Sequence, residues 1–264
     1  MIHYYYDGSF EGLLTALAIA LDDPAADSQI SVGMEKQPDL FSEYADVPAD
    51  PALAKQFFGR LAGRFSRMVL EEIIYCFCSE LPGNEKLICD YLRLLLASGG
   101  RAADNFGDTT VLEIKRIRYQ VAHEIERLHG FVRFRKLESG IYYAPIEPVH
   151  NVVQLLAEHF AARFADQTWL IHDLKRNTGI YYDLRRCRFI PGVQNAPLIL
   201  PAESSQPDQN GLSSTVFDPQ EIGYQQLWEQ YFQRIAIAER RNPKLQRQRM
   251  PARYWRCLVE KAGS

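Results

Sequence analysis

The tetrapeptide Gly-Ile-Tyr-Tyr occurs twice, at Gly140 to Tyr143 and at Gly179 to Tyr182, 39 residues apart. Each copy follows an apolar and basic segment, Phe131-Val-Arg-Phe-Arg-Lys-Leu137 before the first and Trp169-Leu-Ile-His-Asp-Leu-Lys175 before the second. Aromatic and β-branched residues suit a pleated, half-buried surface. Glu138-Ser139-Gly140 and Arg176-Asn177-Thr178-Gly179 supply glycine where the chain must reverse. Between the copies, Val149, Val152, Val153, Leu156, Phe160 and Phe164 recur at helical spacing, which predicts a helix over 149 to 165 with one face buried against a sheet. The pattern reads hairpin, helix, hairpin over 130–190, and a duplicated unit is an open alternative.

Upstream, Ile2 to Tyr6 suits a short strand, Asp7-Gly8 turns the chain, and Ser9 caps a helix carrying Phe10, Leu13, Leu14, Leu17 and Leu21. Further strands are expected near Gln29 to Met34 and Tyr44 to Val47. Asp50-Pro51 opens a helical run to about Cys78, a second helix spans Glu85 to Ala97 and ends at Gly99-Gly100, and Asp108-Thr-Thr110 opens a third that stops at Gly130. Downstream, four prolines between 191 and 214 mark an exposed connection. Asp218-Pro219-Gln-Glu221 has the form of a capping box before a stripe of Tyr224, Leu227, Trp228, Tyr231 and Ile235. The expected fold class is α+β: a helical block (51–129) around the central hairpin-helix-hairpin sheet unit, with a C-terminal helix and basic tail. The domain organisation expected is a core over 1–190, a connection over 191–217 and C-terminal helices over 218–264.

Composition narrows the function classes. With 47% apolar residues the chain can bury a core, and it has no apolar run long enough to cross a membrane. The N-terminus lacks a basic region followed by an apolar one, so a cytoplasmic location without a membrane partner is expected. Five cysteines at 76, 78, 89, 187 and 257, an odd number in helical or apolar surroundings, read as buried thiols rather than disulfides or metal ligands. Residues 234–256 hold eight basic residues against Glu239, a charge of +7 that leaves −10 on the rest of a chain whose total is −3. Such a tail seeks a polyanion or an acidic docking surface.

Five segments, Asp7-Gly-Ser-Phe-Glu-Gly12, Gly130-Phe-Val-Arg-Phe134, His159-Phe-Ala-Ala-Arg-Phe164, Trp169-Leu-Ile-His-Asp173 and Met250-Pro-Ala-Arg-Tyr-Trp255, together resemble a bacterial family of uncharacterised DNA metabolism and repair proteins. Its members resemble partners of a radical SAM DNA-repair protein, and a related domain is fused to uracil-DNA glycosylase-like domains. The resemblance covers nearly the whole chain and implies a pathway without carrying over catalytic residues. It implies DNA and a radical SAM protein as partners. The radical SAM enzyme brings its own cluster, so no cofactor or metal is assigned to this chain.

The candidate site residues fall into two groups. Asp7 and Glu11 flank a strand-to-helix turn, where two carboxylates can hold a metal or share a proton; the competing reading is an Asx-turn at Asp7 and a helix-dipole partner at Glu11. His159, four residues before Arg163, and the pair His172 and Asp173, on opposite faces of a strand, complete the catalytic candidates against a purely structural reading. For nucleic acid, Arg133 and Arg135 alternate along one expected strand, Arg163 lies on the central helix, and Lys175 and Arg176 occupy the comparable edge of the second hairpin, with Tyr142, Tyr143, Tyr181 and Tyr182 as stacking platforms. The tail adds Arg240, Arg241, Lys244, Arg247, Arg249, Arg253 and Trp255. Charge alone leaves nucleic-acid contact and a solvated helix end, or contact with the acidic body, equally open; the family resemblance implies the former, a nucleic-acid-binding accessory of DNA repair or modification. A stand-alone nuclease or glycosylase-like enzyme and a protein-interaction scaffold are the alternatives.

Overall fold

The computed structural model describes residues 2–22, 28–33, 43–193, 217–235 and 242–261. The fold is α+β, and the chain divides into two compact units, Met1–Ala122 and His123–Ser264. The division between them falls within the helix Thr109–Phe131. Among the described residues no helix is long and apolar enough to cross a membrane.

In the first unit, β1 (Ile2–Tyr6) pairs in parallel with both β2 (Ser28–Val32) and β3 (Glu43–Asp46), giving the order β2-β1-β3. Helix α1 (Phe10–Ala20) follows β1; its Ser9 cap accepts from Gly12 N, and Leu13 and Leu17 are fully buried. The run expected from Pro51 to Cys78 is two helices, α2 (Pro51–Arg64) and α3 (Arg67–Cys78). Phe65 turns extended (φ −119°, ψ 159°) and buries its ring, and Ser66 caps the new helix through Val69 N. The break thus trades one helical turn for a buried aromatic and a second cap. Helix α4 (Asn84–Ser98) ends on left-handed Gly99, and α5 (Thr109–Phe131) starts where the Asp108 carboxylate accepts from Thr110 N and Val111 N. Buried Glu72 accepts from the Tyr91 hydroxyl and from Lys115 Nζ at 2.9 Å, tying α3, α4 and α5 together.

The second unit is built on a five-stranded sheet in the order β4 (Arg135–Lys136), β5 (Tyr142–Ile146), β6 (Trp169–Asp173), β7 (Thr178–Tyr182), β8 (Cys187–Pro191). Neighbours are antiparallel except β5 and β6, which run parallel and are joined across α6 (Ala157–Arg163). The register sets Tyr142, Trp169 and Tyr182 in one row and Tyr143, Leu170 and Tyr181 in the next, on opposite faces. The two Gly-Ile-Tyr-Tyr copies are therefore not a structural duplication. They lie in strands of opposite direction, and the first tyrosine of one copy aligns, across Trp169, with the second tyrosine of the other.

Their glycines differ as well. Gly140 has φ +82° with open space where a Cβ would sit, and its N–H closes the turn onto Leu137 O. At Gly179 a Cβ would meet Ile171 O at 2.7 Å and Val193 Cγ2 at 2.8 Å, so the requirement there is close packing.

Three further expectations change. The strand expected over 131–137 shortens to two residues, because α5 continues to Phe131 and Arg133 Nη1 donates to Gly130 O at its end. The helix expected over 149–165 is a 3-10 turn (Val153–Leu156) running into the short α6. Its intended first turn is committed elsewhere: Val149 N and His150 N both donate to the buried Glu124 carboxylate. Most of the stripe survives, with Val152, Val153, Leu156 and Phe160 buried and Phe160 and Phe134 meeting Trp169, but Val149 is exposed and Phe164 half-buried.

The end of the chain is no simple tail. After α7 (Glu221–Ile235) and α8 (Pro243–Arg249), a 3-10 segment (Ala252–Cys257) buries Tyr254, Cys257 and then Leu258, and the Tyr254 hydroxyl donates to Glu124 at 2.6 Å.

Candidate functional site

Each candidate named from sequence has a definite place. In the first unit, the Asp7 carboxylate accepts from Ser9 N at 2.9 Å and Ser9 Oγ at 2.6 Å, and these bonds hold its pKa below the usual range. Gly12 leaves it room, since a Cβ there would lie 2.2 Å from Asp7 Oδ1. Glu11 is exposed in the first turn of α1, where a negative charge complements the helix dipole. Among the described residues no three His, Cys, Asp or Glu side chains are grouped to hold a metal ion. The five cysteines are free thiols, and burial pushes Cys76 up to about 12 and Cys257 up to about 11, which keeps both protonated.

In the second unit the histidines separate. His159 stacks on His129, with ring centroids 3.8 Å apart and planes 11° from parallel, and does not join Arg163, whose guanidinium lies over Phe164. His172 Nδ1 is 2.8 Å from the hydroxyl of Tyr143, which lies on the same face of the sheet, and burial pushes its pKa down to about 4. Asp173 is fully buried and pairs with Arg176 Nη1 at 2.9 Å; burial raises its pKa and the guanidinium offsets part of that rise. The structure brings none of His159, His172 and Asp173 into a common site.

The basic candidates sort by whether they are already engaged. Arg133 lies outside any strand, so it does not share a strand face with Arg135. Its guanidinium grips Glu260 through Nε (3.2 Å) and Nη2 (2.7 Å) and covers the Trp228 ring. Burial raises the Glu260 carboxyl, but this pairing outweighs it and holds the group below the usual range. Arg135 lies over Phe217, and Arg176 also reaches Pro148 O and Val149 O, pinning that loop to the β6–β7 turn. Lys175 is exposed, with Nζ 3.5 Å from Val149 O. Arg253 covers Tyr254, and Trp255 Nε1 donates to Met250 O. Arg240 and Arg241 lie outside the described residues. Lys244, Arg247 and Arg249 are exposed on α8 and form no ion pair among the described residues. Of the four tyrosines offered as platforms, Tyr143 and Tyr182 are buried in the core, leaving Tyr142 and Tyr181.

A groove in the second unit, not foreseen from sequence, has a volume of about 590 Å³. The rings of Phe134, Tyr142, Tyr224 and Trp228 line it, with Arg133, Lys136 and Glu221 among them. Glu221 does not complete a capping box. Its Oε2 accepts from Lys136 N at 3.0 Å, fastening α7 to β4, while Asp218 accepts from Gln220 N and pairs with Lys136 Nζ at 3.0 Å. Trp228 Nε1 donates to Glu260, completing an Arg133–Glu260–Trp228 wall. The stripe on α7 faces outward, with Tyr224 65% exposed, Leu227 62% and Tyr231 55%. The sequence signal that pointed here was this aromatic stripe; the acids that shape the groove gave none.

The model of a family described as a domain of unknown function, DUF4130, matches residues 82–260, a span that includes all of the groove. No curated protein matches the chain. A match over more than half of its length means that this chain belongs to the DUF4130 family.

Proposed function

We propose that the protein is a nucleic-acid-binding accessory of DNA repair or modification, acting beside a radical SAM enzyme that carries its own cluster. The resemblance of its five sequence segments supplies the pathway. The observation that carries the binding reading is the set of exposed cations Lys244, Arg247 and Arg249 on α8, which no acid neutralises among the described residues. Exposed, unpaired cations are what phosphates recruit, because each contact releases a condensed counterion. Arg133 and Arg176, in contrast, already serve buried carboxylates, and a phosphate would have to displace these.

The test is single-stranded DNA binding by the full chain against salt concentration. The triple variant Lys244→Ala, Arg247→Ala, Arg249→Ala should weaken binding to every sequence and lower the slope of log K against log salt by about two to three. An unchanged slope removes α8 from the interface. A second reading, a protein-interaction scaffold, is favoured by the exposed apolar face of α7. Co-purification of a partner that survives nuclease treatment, and is lost on Leu227→Asp, supports this reading over the first.

A further inference from the structure

The charges of the groove under α7 decide what it can hold. Arg133 is bonded through two of its nitrogens to Glu260, whose side chain is 1% exposed, and Lys136 is paired with Asp218. With both cations compensated, the charge left over on the groove is negative, that of Glu221. An incoming phosphate would meet that carboxylate without a free cation to balance it. A neutral group bearing N–H donors suffers no such cost.

Glu221 is 9% exposed, and its oxygens are only partly used. Oε2 accepts from Lys136 N at 3.0 Å and Oε1 from Gln225 Nε2 at 3.2 Å. A carboxylate offers about four lone-pair positions, so each oxygen retains capacity for another donor. Two adjacent acceptors complement two adjacent donors. Among the unmodified bases, guanine presents that edge, N1–H beside the N2 amine. Adenine and cytosine pair one amine with an acceptor, and thymine sets one N–H between two carbonyls. Tyr142 and Tyr224 supply apolar surface for the base face: neither ring contacts another ring among the described residues, and Tyr224 is 65% exposed. The volume of about 590 Å³ is within the range of small-ligand sites.

We infer that this groove receives one unpaired guanine, its Watson–Crick edge on Glu221 and its face against Tyr142 and Tyr224, while the phosphates run outside it. The inference rests on the reading that the protein binds nucleic acid, and it adds that a base is read in single-stranded form.

Fluorescein-labelled thymidine 12-mers carrying a central dG, dA, dC or dT provide the test, with the full chain titrated at low salt. The dG oligomer should bind roughly tenfold tighter than the all-thymidine one, the discrimination expected of one bidentate contact. Glu221→Gln, which keeps the shape and one acceptor, should bring that ratio close to one while binding of the all-thymidine oligomer persists. Tyr224→Ala, at an exposed position, should weaken the dG oligomer most, and Tyr224→Phe should restore it. Equal affinity for the four oligomers overturns the inference and leaves nucleic-acid binding standing. Binding to none of them overturns both. A dG preference unchanged in Glu221→Gln overturns the assignment to this carboxylate, and should that variant fail to fold, indifference of the preference to Tyr224→Ala does the same.

Discussion

Single residues behave here according to whether their partners are near in sequence. Asp7 and Ser9 are two apart, so the Asx-type turn was legible, and so was the placement of His172 and Asp173 on opposite strand faces. The acids that organise the second unit were not. Glu221 meets Lys136 across 85 residues, Glu260 meets Arg133 across 127, and Glu124 meets Tyr254 across 130, separations that leave no local pattern to read. His172 yields a pH prediction. Its imidazole ordinarily titrates near 6.5, and burial lowers this to about 4 in the fold. Between those values the unfolded chain binds a proton that the folded chain refuses, so the stability linked to His172 is full above pH 6.5 and is lost progressively as pH falls toward 4. Going from pH 7 to pH 5 this should cost about 2 kcal/mol. Urea unfolding of the parent and of His172→Gln at both pH values checks it: the parent should lose about 2 kcal/mol more than the variant, and parallel losses would remove His172 as the cause.

At the scale of elements, the repeated Gly-Ile-Tyr-Tyr marked two strands correctly but for unlike reasons. Gly140 is required by its left-handed backbone and Gly179 by the close approach of Ile171 O and Val193. The two sites should therefore rank substitutions in opposite orders. At 140, Asn should be tolerated better than Ala, because Asn adopts positive φ more readily, with Ala costing about 1–2 kcal/mol. At 179, Ala should cost about 1–3 kcal/mol and the larger Asn more. Urea midpoints of the four variants measure this, and the same order at both sites would contradict the distinction. Other elements moved where tertiary bonds outbid local pattern. The central helix lost its first turn to Glu124, and the first strand of the expected hairpin gave up its start to α5. The amphipathic stripe of α7 was plain in the sequence, but periodicity cannot say whether such a stripe meets core or solvent. Here much of it meets solvent, and that is why a binding face is proposed for it.

For the molecule as a whole, the charge asymmetry suggested a basic appendage, yet only part of the C-terminal segment is one. α8 displays its cations, while the next dozen residues bury Tyr254, Cys257 and Leu258 and return Glu260 to Arg133. Truncation after Met250 should consequently destabilise the second unit by roughly 5 kcal/mol or more, from lost apolar burial and two carboxylate-bearing contacts broken. Hydrogen exchange of the β5–β7 amides should accelerate in the truncated chain, and unchanged protection would restore the picture of a detachable tail. The α+β class, the helix caps at Ser9, Asp50 and Asp108, the burial of three of the five thiols (Cys76, Cys89 and Cys257, with Cys78 and Cys187 half-buried) and the strand-forming tyrosine segments were determined by the sequence alone, since propensity, capping and burial act over a few residues. Tertiary structure decided which tyrosines are core and which are open, which arginines are spent on buried acids, and that Glu221 would face a ring-lined groove. These are outcomes of contacts between distant segments, whose energies depend on geometry that no short stretch of sequence contains.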